Sequence, residues 1–156
     1  MIRLIVTEIL DCCQRRIFLL MLLASFFFVG NVLPADNTVE TVVHPSVNTE
    51  QLSKNLLRSI FGMRLRTWQD GLPIRVFVLP DDAPLHSLFA KRKLNIFPYQ
   101  LRAAWDRLIF SGTGQAPITV QSEEEMRLRV STTPGAIGYL SGTQIDDSVQ
   151  IVHVDQ

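Results

Sequence analysis

From Val39 onward, short β-branched apolar runs alternate with segments whose apolar residues recur at helical spacing, and this alternation limits the fold more than any other feature. Val39 to Val43, Ile74 to Leu79, Pro117 to Val120, Ala136 to Leu140 and Val149 to Val154 read as strands. Between them, three groups keep a 3.6-residue period: Leu52, Leu56, Leu57, Ile60 and Phe61; Leu85, Leu88 and Phe89; and Leu101, Ala104, Trp105, Leu108 and Ile109. Elements of these lengths in this order predict an α/β fold, an open and mainly parallel sheet with helices on both faces.

The punctuation fits. His44-Pro45-Ser46 reads as a turn, and Asn48-Thr49-Glu50 offers a cap for the first helix, which Gly62 stops. Val39 to Val43, that helix and the strand Ile74 to Leu79 are then expected to form a right-handed βαβ unit. Pro84 and Pro98 sit where later helices begin, and Ser111-Gly112-Thr113-Gly114 ends one of them. Ser122-Glu123-Glu124-Glu125 is an N-terminal helix signature with acids on the favourable dipole end, and Pro134-Gly135 breaks that helix.

The beginning of the chain is of a different kind. Arg15-Arg16 precede an apolar run from Ile17 to Val29, interrupted only by Ser25 and followed by a polar break near Ala35. This is the order of a secretory signal, and Ile17 to Leu33 also approaches the length of a membrane-crossing helix. The expected organisation is a signal peptide or uncleaved membrane anchor at 1–35, a linker at 36–40 and a single domain at 41–156, which the length can supply with one ordinary core. The globular part is expected to be exported and periplasmic, with membrane attachment only through the N-terminal segment. No cysteine follows Cys13, so the domain has no disulfide to lean on and must rest on its apolar core. Fifteen Lys plus Arg balance fifteen Asp plus Glu, which gives no electrostatic footprint for nucleic acid.

Leu52 through Ile60-Phe61-Gly62, Trp68 and Gly71, the strand Ile74 to Leu79, Phe89, Trp105-Asp106-Arg107-Leu108-Ile109-Phe110 and Pro134-Gly135-Ala136-Ile137-Gly138-Tyr139 follow one another in a recognisable order. That order resembles the second lobe of periplasmic phosphate-binding proteins, the substrate-binding components of phosphate ABC transporters, and especially small exported proteins that keep only this lobe. The resemblance implies one lobe of a type II periplasmic binding protein and a non-enzymatic, solute-binding role. In that family a Ser-Gly-Thr triplet stands at the strand-to-helix junction, with an arginine just upstream. Counted back from Phe89, those places hold Ala83-Pro84-Leu85 and Leu79. The side-chain donors are replaced, proline removes a backbone donor, and Asp81 and Asp82 add like charge against an anion. The family likeness therefore implies the fold without carrying phosphate binding with it.

In open α/β sheets ligands collect at the carboxyl ends of strands. By that topology, the ligand candidates are Ser46, Asp82, Ala83, Leu85, His86, Ser122 and Tyr139. The expected partners are a small anion or other small solute and an envelope transporter or sensor protein. An interaction or sensory module built on the same lobe is the alternative. Ser141-Gly142-Thr143 reads as a plain turn. His44, His86 and His153 lack metal-ligand spacing, and no nucleophile elbow or phosphate-cradling loop is present, so no catalytic residue, metal or cofactor is expected. Lys91-Arg92-Lys93 is the densest basic run and reads first as a solvated helix end; Trp68 and Trp105 read as packing residues.

Overall fold

A computed structural model describes residues 38–155 of the chain. The chain divides between Ala35 and Asp36, and the expected signal or anchor segment lies outside the described residues. Strand β1 (Val39–Val43) takes up the end of the stretch expected as a linker. A turn follows, and then a strand that the periodicity does not announce, β2 (Gln51–Ser53). The Ser53 hydroxyl accepts the backbone N–H of Leu56 and so starts helix α1 (Lys54–Phe61) about a turn later than Asn48-Thr49-Glu50 would. Leu52 therefore belongs to a strand and not to the helix.

The remaining elements fall close to expectation. They are β3 (Arg75–Val78), α2 (Pro84–Arg92), α3 (Pro98–Phe110), β4 (Ile118–Thr119), α4 (Glu123–Thr132), β5 (Ala136–Ser141) and β6 (Gln150–Asp155), with a 3₁₀ turn at Gly142–Gln144. Pro84 and Pro98 each open a helix, where their missing N–H costs nothing. The Ser122 hydroxyl caps α4 by accepting the N–H of Glu125.

The six strands form one sheet in the order β2-β6-β1-β5-β3-β4. β2 pairs with β6, β5 with β3, and β3 with β4 in parallel, whereas β1 runs antiparallel to both β5 and β6. All strands but β1 point one way, so the sheet is mainly parallel. The expected βαβ unit of β1, α1 and β3 does not form, because β1 runs opposite to β3 and β5 lies between them. The parallel crossover runs instead from β2 through α1 to β3. The reason is β2, a segment too short to show a period of its own, which turns the chain before the helix begins.

Helices cover both faces, as β5 makes plain. A Cβ added at Gly138 would lie 2.6 Å from Met126 Sδ and 3.0 Å from Val130 Cγ2, so this face meets α4 almost backbone to side chain. The next residue, Tyr139, points the other way, as alternation in a strand requires, and meets Phe61 of α1 and Phe89 of α2. The Tyr139 and Phe89 rings stack at 4.1 Å with 12° between their planes. Val42, Leu57, Ile60, Phe61, Phe89, Trp105, Ile137 and Tyr139 are among the wholly buried residues.

Candidate functional site

Strands β3 and β5 are neighbours, and their carboxyl ends carry the chain into Leu79-Pro80-Asp81-Asp82-Ala83 on one side and Tyr139 to Ser141 on the other. A line of polar groups joins these ends. The Leu79 N–H donates to the Tyr139 hydroxyl oxygen at 2.8 Å, and that hydroxyl lies 2.6 Å from His86 Nδ1. Since the oxygen already accepts from Leu79, we assign its proton to the bond with Nδ1. The second ring nitrogen, Nε2, then carries the imidazole proton. Nε2 is buried, has no hydrogen-bond partner and lies 4.0 Å from Asp81 Oδ1.

Asp81 itself is held by Arg102 of α3. Arg102 Nε donates to Oδ2 at 2.6 Å and an Nη donates to Oδ1 at 2.9 Å, a bidentate fork. The guanidinium carbon also lies 5.1 Å from the centre of the Trp105 ring, and that indole donates to the Phe61 carbonyl at 2.7 Å. Arg102 and Trp105 are one helical turn apart, so the same face of α3 supplies both cation and ring.

The electrostatics follow from this packing. The hydrogen bonds from Arg102 hold the Asp81 carboxyl below its ordinary range, against a smaller opposing effect of burial. Burial pushes His86 down, partly offset by the negative charge of Asp81, and Arg102 adds to the depression. Burial also pushes the Tyr139 phenol well up, beyond any physiological range. At neutral pH the corner therefore holds a neutral imidazole, a neutral phenol and a carboxylate already committed to a guanidinium.

Of the expected ligand residues, the structure joins His86 and Tyr139, both at 0 % exposure, inside the core. Asp82 is exposed, while Ala83 and Leu85 are half-buried and pack against the apolar core. The Ser122 hydroxyl is used as the α4 cap. Ser46 does not converge with the others. β1 is antiparallel, so its end lies beside Ala136 at the amino end of β5, where Ser46 bonds His44 Nδ1 at 2.8 Å. Asp81, Arg102 and Trp105 complete the corner and are not among the expected ligand residues. Asp81 lies in the acidic junction, and the Arg102-x-x-Trp105 spacing is visible, but nothing local announces that the two meet.

Ser141 ends β5, and both its N–H and its hydroxyl donate to Glu123 Oε2, at 2.8 and 2.6 Å. The Ser141-Gly142-Thr143 triplet is thus a turn, as expected, and its first residue is already engaged by the protein's own carboxylate. Among the described residues no three His, Cys, Asp or Glu side chains gather as a metal site. A groove of about 390 Å³ away from the corner is bordered by Thr38, Glu40, Lys54, Arg92, Lys93 and Asp155.

No family model matches the sequence, and no curated protein matches it. Solved structures do match the fold. A putative phosphate ABC transporter substrate-binding protein from Clostridium perfringens, solved with bound phosphate, superposes with a TM-score of 0.60 at 20% identity, over 75% of this chain and 44% of its own. PstS from Borrelia burgdorferi gives 0.58 at 19% identity, over 76% and 47%. An ABC-type phosphate transport receptor from Vibrio cholerae gives 0.57 at 16% identity, over 74% and 45%. The chain spans less than half the length of each of these structures, and the shared feature is the fold.

Proposed function

We propose that this chain is a non-enzymatic, exported solute-binding-like domain, periplasmic and related to phosphate ABC transporter substrate-binding proteins, whose phosphate-contacting corner is filled by its own side chains. The observation that carries this reading is the Asp81 carboxylate clamped by Arg102 over the Trp105 ring. An anion arriving there would have to displace a tethered carboxylate from the Arg102 fork, and Asp82 beside it repels further negative charge. The triplet positions Ala83-Pro84-Leu85 offer no side-chain donor in compensation.

Calorimetric titration of the purified chain with inorganic phosphate tests the reading, and no micromolar binding is expected. Micromolar binding that is lost on Arg102→Ala would overturn it. The alternative role, contact with an envelope transporter or sensor, draws on exposed large apolar side chains such as Phe110, 88 % exposed at the end of α3.

A further inference from the structure

The basic run Lys91-Arg92-Lys93, which reads from sequence as a solvated helix end, has neighbours that the sequence does not reveal. Lys91 borders a surface depression of about 350 Å³ together with Asn95, Phe97, Tyr99 and Gln100. Phe97 and Tyr99 are 54 % and 68 % exposed, and their rings stack on each other at 5.8 Å with 15° between planes. Two large rings held in water beside the exposed Lys91 form an amphipathic patch. Aromatic side chains with a polar tip are favoured where apolar and aqueous phases meet, and basic residues are attracted to anionic headgroups.

The place where the chain enters the domain lies next to the same helix end. Lys93 Nζ binds Glu40 at 2.8 Å, and Thr38, Val39, Arg92 and Lys93 border one groove. In sequence, only Pro34 to Asn37 separate the apolar run ending at Leu33 from Thr38. Where the chain keeps that run as its expected membrane anchor, the connecting residues, at no more than about 3.5 Å each, leave the domain roughly 18 Å of reach from the bilayer. We infer that the face made by the end of α2 and the start of α3, with Lys91, Phe97 and Tyr99 at its centre, rests on an anionic lipid bilayer surface. With the segment at 1–35 kept as an anchor, a weak contact suffices, because the second contact is then intramolecular. The proposal is independent of the phosphate reading, since it uses neither Asp81 nor Arg102.

The test uses the full chain, carrying whatever part of its N-terminal segment it retains after expression, with vesicles of phosphatidylglycerol or of phosphatidylcholine. Amide hydrogen exchange is followed in peptides covering residues 91–100. Exchange in the 93–97 connection is expected to slow several-fold on the anionic vesicles alone. Lys91→Glu is expected to weaken that protection by roughly fivefold or more, the value of one basic residue at such a surface, and Tyr99→Ser is expected to reduce it as well. Both side chains are exposed, and circular dichroism checks that the variants fold. Equal exchange on the two vesicle types, whether slowed on both or on neither, overturns the inference. Protection by polyglutamate without protection by vesicles also overturns it, in favour of an acidic protein partner.

Discussion

The Tyr139 hydroxyl stands between the backbone N–H of Leu79 and the ring of His86, 2.8 Å from one and 2.6 Å from the other, so a single buried oxygen ties strand β5 to the end of β3 and to helix α2. Tyr139→Phe keeps the stacked ring and deletes only that oxygen. It leaves a buried N–H and a buried imidazole nitrogen without partners, and is expected to cost about 1–3 kcal/mol. Urea denaturation should show the lower midpoint with an unchanged slope, and an unshifted midpoint would contradict the assignment.

His86 gives the fold an acid-sensitive component. Its pKa is depressed in the folded state, chiefly by burial, so the unfolded chain takes up a proton first as the pH falls below about 6.5. Stability from this group is fully present above that value and declines until the folded-state pKa is passed. His86→Gln should flatten the dependence of the melting temperature on pH in this window, relative to the unmodified protein. An unchanged slope would mean that the imidazole is not held neutral.

Asp81 acts on that titration with a definite sign. Its charge favours the imidazolium, so Asp81→Asn is expected to shift the His86 titration midpoint to lower pH, as read by NMR of the ring protons. The same substitution loosens the Arg102 fork. Because both side chains are about 40 % exposed, solvent screening limits the loss to about 0.2–1 kcal/mol. A rise in the midpoint would show that Asp81 does not face His86 in solution.

Two glycines of the Pro134 to Tyr139 run should differ in what they tolerate. Gly138→Ala meets the flexible Met126 side chain and is expected to cost about 1–3 kcal/mol, with partial recovery when Met126 is shortened. Gly135 has φ of +76°, and a Cβ there would lie 2.2 Å from the Pro73 carbonyl oxygen, a backbone atom that cannot rotate away. Gly135→Ala is therefore expected to destabilise more than Gly138→Ala and to gain nothing from the Met126 change. Thermal melting of the four variants decides it.

Much of this fold is legible because its signals are local. Pro84, Pro98 and Ser122 mark helix starts by backbone chemistry that needs no tertiary context, and Gly138 announces a close approach by lacking a side chain. What escaped is non-local. Gln51 to Ser53 owes its strand conformation to β6, with Leu52 facing Val154, and three residues cannot display a period. The direction of β1 is likewise invisible from within Val39 to Val43, since both directions bury the same apolar face. Ser46 is displaced from the ligand end for that reason alone. In the corner, His86 and Tyr139 could be placed by topology, whereas the meeting of Asp81 and Arg102 depends on α3 packing back beside α2.

The position of β1 also bears on how the molecule comes into being. Val39 to Val43 are made first among the described strands and lie near the centre of the sheet, clasped between Ile137 to Ser141 and Gln150 to Val152. Those partners are about a hundred residues later in the sequence, so a growing polypeptide has no middle to this sheet until β5 and β6 have been synthesised. Contacts of such long range slow the search for the native state and leave little to assemble early. In a nascent chain, Val39 to Val43 therefore stay without sheet partners, and threadable, until β5 and β6 are free to clasp them.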